Sequence, residues 1–163
     1  MLSKLELTQK IGELLDDDIL YPIEVIKIAN RLGYRVFALE NSNGIAGKVC
    51  HKDKIIYINP SDNPQRQRFT IAHEIGHIVL HQRTNHEHHR VSDDMIDTEL
   101  NIYSDDVEEI EANRFAAMLL MPDLAFKRAW SRFDGQISQI ANYFNVSKLA
   151  ASIRANNLNL LSL

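Results

Sequence analysis

The sequence predicts an α+β fold: a small antiparallel sheet packed on one long helix, followed by a helical C-terminal segment. Three observations predict it. Apolar residues recur at helical spacing over the first thirty or so positions, three short β-type runs follow between residues 34 and 59, and helical patterns separated by Pro and Gly stops fill most of the remainder.

Residues 3–15 place Leu5, Ile11, Leu14 and Leu15 on one helical stripe, and residues 22–32 do the same with Val25, Ile26, Ile28, Ala29 and Leu32. Pro22 suits the first turn of that second helix, and Gly33 suits its C-terminal stop. The texture then changes. Tyr34 to Leu39, Ile45 to Cys50 and Lys54 to Asn59 read as strands split by Asn-Ser-Asn-Gly and His-Lys-Asp turns, which together make a three-stranded antiparallel sheet. Asn63 is placed to cap a helix that has Pro64 at its first position and runs to about His81. Residues 82–104 are polar, His-rich and acidic without a clear period, and the segment is long for a connection. A strong helix is expected over 105–121, stopped by Pro122, with shorter ones over 123–132, 136–144 and 147–156.

A length of 163 residues suits a single domain spanning 1–163, with 123–163 as a helical segment inside it. Hydrophobic residues at 45% and charged residues at 25% allow a real core and argue against disorder. The lone Cys50 excludes an internal disulfide framework and a Cys-rich zinc site, so any metal would be held by nitrogen and oxygen among the seven histidines and the acids. The N-terminal residues have no secretory pattern, and no stretch approaches the roughly 18 apolar residues of a membrane span, so a cytoplasmic location without membrane contact is expected. The net charge of −4 argues against nucleic-acid binding as the main task. That charge is uneven: residues 82–111 carry 10 acidic and 2 basic side chains, residues 112–163 only 2 acidic and 6 basic. An acidic loop of this kind is either simply solvated or a negative field that draws a basic partner.

The chemistry concentrates in His73-Glu74-Ile75-Gly76-His77. Histidines four apart share a helical face and can share one ion, and Glu74 beside them can take a proton from a water on that ion. A catalytic site of this type needs a third protein ligand and an open position. His81 continues the four-residue step but lies about 12 Å along the axis from His73, too far to join both histidines. The 105–121 helix offers Glu109, with Glu111 as the fallback. Glu109 shares a face with the small residues Ala112, Asn113 and Ala116, where another helix can approach, whereas Glu111 shares one with Arg114 and Phe115. Asn113, a turn beyond Glu109, is a candidate hydrogen-bonding partner of a ligand.

HEIGHIVLH at 73–81, followed by EIEANRFAAMLLMP at 109–122, resembles the ImmA/IrrE family of zinc-dependent metallopeptidases. The resemblance runs through most of the chain and is least specific over the first 30 or so residues. It implies a zincin-like fold, zinc as the cofactor, Glu109 as the third ligand and Glu74 as the base. It also implies a protein substrate, a helix-turn-helix transcriptional repressor whose cleavage induces gene expression. Manganese and iron suit the same ligand set. Tyr103, His81 and His86 are candidates for stabilising the developing oxyanion.

Four further features have milder readings. His86, His88 and His89 suggest a second metal site but fit a solvated turn better. Cys50 fits a small residue at a strand end. The edge at Ile45 to Val49 either takes an added substrate strand or is an edge that pairs with nothing. Residues 136–154 have a helix-turn-helix pattern, yet the second helix offers only Lys148 and Arg154 as basic residues, which favours packing over DNA reading. A non-catalytic repressor-binding protein and a DNA-binding regulator built on residues 136–154 are the competing functions.

Overall fold

The computed structural model describes residues 1–16, 18–40, 44–81, 86–89 (backbone only) and 107–161. Helix α1, Lys4–Leu14, opens on a capping box: Ser3 accepts from the Glu6 N–H while the Glu6 carboxylate accepts from the Ser3 N–H. It buries Leu7 and Ile11. Helix α2, Val25–Arg31, starts three residues after Pro22, so that proline precedes the helix rather than sitting in its first turn. Gly33 follows α2 at φ +84°, a left-handed conformation that glycine adopts without steric cost, and turns the chain into the sheet.

The strands are β1 Arg35–Ala38, β2 Ile45–Cys50, β3 Ile55–Ile58 and β4 His86–His89, in the spatial order β1-β3-β2-β4. The sheet is mixed, which corrects the antiparallel expectation. β2 pairs antiparallel with β3, Gly47 opposite Ile58, but β1 runs parallel to β3, Arg35 opposite Ile55. The hairpin of β2 and β3 puts β3, not its sequence neighbour β2, beside β1, and the Leu39 N–H extends that ladder to the Ile58 carbonyl at 2.8 Å. An apolar run marks a strand but carries no record of its neighbour's direction. The fourth strand also departs from expectation. β4, from within the acidic segment, pairs antiparallel with β2 across a bulge at Ile45/Gly47, so the edge read as open is occupied by this chain.

Helix α3, Pro64–Leu80, begins as its sequence requires: Asn63 accepts from the Arg66 N–H at 2.9 Å, and Pro64 takes the first position. It lies between the sheet and helix α4, Val107–Leu120, and every residue from Thr70 to Ile78 is buried. Helices α5 Asp123–Arg132, α6 Ile137–Phe144 and α7 Lys148–Asn157 complete the described chain. Phe126 and Phe144 stack with ring centroids 5.7 Å apart, and Tyr21 meets Phe144 edge-on at 5.1 Å, tying α5 and α6 to the segment before α2. Arg154 of α7 is buried. It donates to the Met121 carbonyl at 2.9 Å and pairs with Asp123 at 2.5 Å, which closes the α4–α5 corner. That arginine is therefore committed to the interior, and among residues 136–154 only Lys148 is an exposed cation.

Candidate metal centre

His73 and His77 stand one turn apart on α3 with ring centroids 4.7 Å apart and their Nε2 atoms 3.0 Å apart. Glu109, in the first turn of α4, brings Oε2 to 3.4 Å from His73 Nε2 and Oε1 to 3.1 Å from His77 Nε2. Both imidazoles are buried, and the Glu109 side chain is 16% exposed, so the cluster meets solvent on the carboxylate side.

The approach of α4 depends on two small residues. A Cβ at Gly76 would lie 3.1 Å from Ala112 Cα and 3.2 Å from its carbonyl oxygen, so the helices cross at a separation that any larger residue would crowd. Glu109 sits one turn before Ala112 and is carried to the histidines by that contact. Asn113, also buried, places Oδ1 2.7 Å from His73 Nδ1. With the His73 Nδ1–H donating there, Nε2 keeps its lone pair toward the cluster.

Three lone-pair donors at these separations repel one another unless a cation or protons lie among them. A tetrahedral site with bonds of about 2.0 Å has edges of about 3.3 Å; the two histidine nitrogens lie 3.0 Å apart, and each faces a different Glu109 oxygen, at 3.4 and 3.1 Å, which is near that length. The residues fit a small divalent ion.

Glu74 lies between the sheet and the cluster, close to Gly47 of β2 and near enough to Glu109 to feel its charge. It is fully buried, and neither carboxylate oxygen has a hydrogen-bond partner among the described residues. Burial first, and the Glu109 charge second, push its carboxyl well above the ordinary glutamate value. Gly47 of β2 provides the clearance: a Cβ there would lie 2.3 Å from Thr70 Cγ2 and 3.0 Å from Glu74 Oε1. Sequence reasoning passed over both Gly47 and Gly76. The only available signal was a glycine inside each of two otherwise buried elements.

Glu111 and His81 are not among the three converging residues but adjoin them through His77. Glu111 points to His81, with Oε2 2.9 Å from His81 Nε2, and its other oxygen accepts from the Leu2 N–H. Burial opposes ionisation of Glu111, but the bonds from His81 and Leu2 outweigh it and hold the carboxyl below its usual range. His81 caps the C-terminus of α3, and its Nδ1 lies 3.2 Å from His77 Nδ1. Tyr103 lies outside the described residues, as do the side chains of His86, His88 and His89. Cys50 closes β2 with its thiol donating to Asp53 at 3.2 Å.

The family profile described as the IrrE N-terminal-like domain, a peptidase domain, matches residues 29–156. Metallopeptidase ImmA of Bacillus subtilis is 30% identical over 130 residues, covering 76% of this chain and 71% of that protein. An immunity region protein of Bacillus phage phi105 is 38% identical over 76 residues, covering 47% of this chain and 43% of its own length. The radiation response metalloprotease IrrE of Deinococcus radiodurans is 31% identical over 110 residues, covering 65% of this chain and 31% of that protein. Among solved structures, a Mycobacterium tuberculosis transcriptional regulator superposes with a TM-score of 0.65 at 19% identity, covering 93% of this chain and 45% of that one; the likeness is one of fold. No helix among the described residues is long and apolar enough to cross a membrane.

Proposed function

The chain belongs to the IrrE N-terminal-like family of metallopeptidases, and from that membership we propose that it is a zinc-dependent endopeptidase that cleaves a helix-turn-helix transcriptional repressor. His73, His77 and Glu109 are the ligands in this reading, and Glu74 is the general base. The observation that carries it is the convergence of two imidazole nitrogens and a carboxylate beside a buried, unpartnered acid.

The long helix bearing both histidines lies against the small sheet, which supports a zincin-like reading of the fold. One buried core joins Leu7 of α1, Ile75 of α3, Phe115 of α4 and Phe144 of α6, which supports reading residues 1–163 as one domain.

Bound at this cluster, zinc supplies Lewis acidity toward the attacking water and the scissile carbonyl. The chain supplies the proton handling. A carboxylate held in an apolar setting is a stronger base than one in water, so a Glu74 oxygen removes the water's proton and later delivers it to the leaving amide nitrogen. Asn113 holds the His73 ring so that Nε2 faces the ligand cluster. The repressor as substrate is supported by the phage immunity-region relative, and the acidic block of residues 82–111 complements a basic DNA-binding partner.

The test mixes the purified, zinc-loaded protein with the repressor encoded beside its gene. Wild type is expected to cut the repressor at one position and Glu74→Gln to leave it intact while retaining zinc. A repressor left whole by wild type with zinc, manganese and iron, or cut equally by Glu74→Gln, overturns the reading.

A further inference from the structure

The two histidines of the cluster are backed by different chemistry. His73 leans on a neutral amide, Asn113 Oδ1 at 2.7 Å. His77 leans on a second imidazole, His81, which in turn rests on the carboxylate of Glu111. The proton positions along this second chain follow from what each end requires. His77 Nε2 faces Glu109 and His73, and a nitrogen that binds metal must be bare, so the His77 proton sits on Nδ1. It is then donated to His81 Nδ1 across 3.2 Å, which makes that nitrogen an acceptor and leaves the His81 proton on Nε2. That proton is donated to Glu111 Oε2 across 2.9 Å. One set of tautomers satisfies every step, and each bond points from the metal side toward the carboxylate.

The surroundings hold this chain in place. His81 is the cap residue of α3, and its own N–H donates to the His77 carbonyl at 2.8 Å, so ring and backbone are both tied to the turn that carries the ligand. Its side chain and that of Glu111 are each only 8% exposed. The second Glu111 oxygen accepts from the Leu2 N–H, which stops the carboxylate from swinging away.

We propose that His81 and Glu111 are positioning residues for the metal, a histidine–carboxylate chain that orients His77 and strengthens Nε2 as a donor. The inference rests on His73, His77 and Glu109 being the ligands. It gives the motif's third histidine and the third carboxylate of α4 a joint role distinct from ligation and from proton transfer to substrate. Outer partners of ligating histidines commonly contribute 10–100-fold to metal affinity, and the charged chain behind His77 belongs in that range.

The experiment measures zinc affinity by chelator competition and records the visible ligand-field spectrum of the cobalt-substituted protein. Wild type is compared with His77→Ala, His81→Ala, Glu111→Ala and Glu111→Gln. The thermal midpoint of each metal-free protein separates folding defects from site defects. His81→Ala and Glu111→Ala are expected to bind zinc about 10–100-fold more weakly and to shift the cobalt spectrum. Glu111→Gln, which still accepts from His81 but lacks the charge, should recover only part of the affinity. If His77→Ala binds zinc as tightly as wild type, the ligand assignment itself fails. If His77→Ala loses zinc while His81→Ala and Glu111→Ala keep wild-type affinity and spectrum, the ligands stand and the positioning chain is overturned. Equal loss in Glu111→Ala and Glu111→Gln, matched by equal falls in metal-free midpoint, also overturns it, because packing alone would then explain the effect.

Discussion

At the scale of single residues, the site is defined as much by missing side chains as by present ones. Gly47 leaves no gap on its inner face: an added methyl group would meet Thr70 Cγ2 at 2.3 Å and Glu74 Oε1 at 3.0 Å. Gly47→Ala is therefore expected to displace Glu74 while leaving the ligands on α3 and α4 untouched. Its zinc content should match wild type while the cleavage rate drops on the order of 100-fold, the usual effect of misplacing a reacting group by about 1 Å. Zinc analysis alongside single-turnover cleavage checks this, and unchanged turnover would show that Glu74 tolerates the shift. Glu109 and Glu111 divide equally cleanly. Glu109→Ala removes a donor 3.1 Å from His77 Nε2, so its zinc affinity should fall further than that of Glu111→Ala. The histidine pair and Glu74 were legible in sequence because a four-residue step on a helix is a local, geometric statement. The contact between His81 and Glu111 was not. It joins residues 30 apart through a helix crossing that no spacing rule encodes.

At the scale of elements, the crossing of α3 and α4 is the feature on which the cluster depends. Glycine to alanine inside a helix ordinarily stabilises by about 1 kcal/mol. Gly76→Ala should reverse that sign, because its methyl would press on the Ala112 backbone at 3.1 Å, and overpacking of this kind costs about 1–3 kcal/mol. Wedging the helices apart also draws Glu109 from the histidines, so zinc affinity and thermal midpoint should fall together. The α4–α5 corner makes a second element-scale prediction. Burial works against ionisation of Asp123, but the Lys4 hydrogen bond and the Arg154 charge outweigh it and hold the carboxyl below its ordinary 3.8. A depressed carboxylate stabilises the fold above its unfolded value, and the contribution disappears as pH falls through the folded one. The stability gap between wild type and Asp123→Asn should thus be full at neutral pH and close progressively below about pH 4, as urea titrations would record. Element positions were mostly legible, since Asn63-Pro64, Gly33 and Pro122 are local stop and start signals. The parallel partnership of β1 with β3 was not, because apolar alternation is the same in either strand direction.

At the scale of the whole molecule, the proposed ligand set would couple metal binding to folding. The three donors come from two helices, so an ion bound by the native chain and not by the unfolded one raises stability by mass action, about 4 kcal/mol at a thousandfold excess over Kd. A chelator should lower the thermal midpoint of wild type, and added zinc should restore it. The same cycle should leave Glu109→Ala nearly unmoved. A midpoint in wild type that is indifferent to chelator would mean that the site gathers no ion under those conditions.

The enclosure of α3 carries a consequence for how such a protein can be controlled. From Thr70 to Ile78 the helix has no wet face, with the sheet on one side and α4 on the other. Its amides can exchange with solvent only in openings that approach global unfolding, so the Glu74 amide belongs among the last to take up deuterium. In the proposed reading the base stands on this buried stretch, so local melting of its own helix is not expected to switch it. Whatever turns the peptidase on or off must act on what stands in front of that helix, and a rise in exchange confined to the flanking segments, with α3 still protected, is the signature such control would leave.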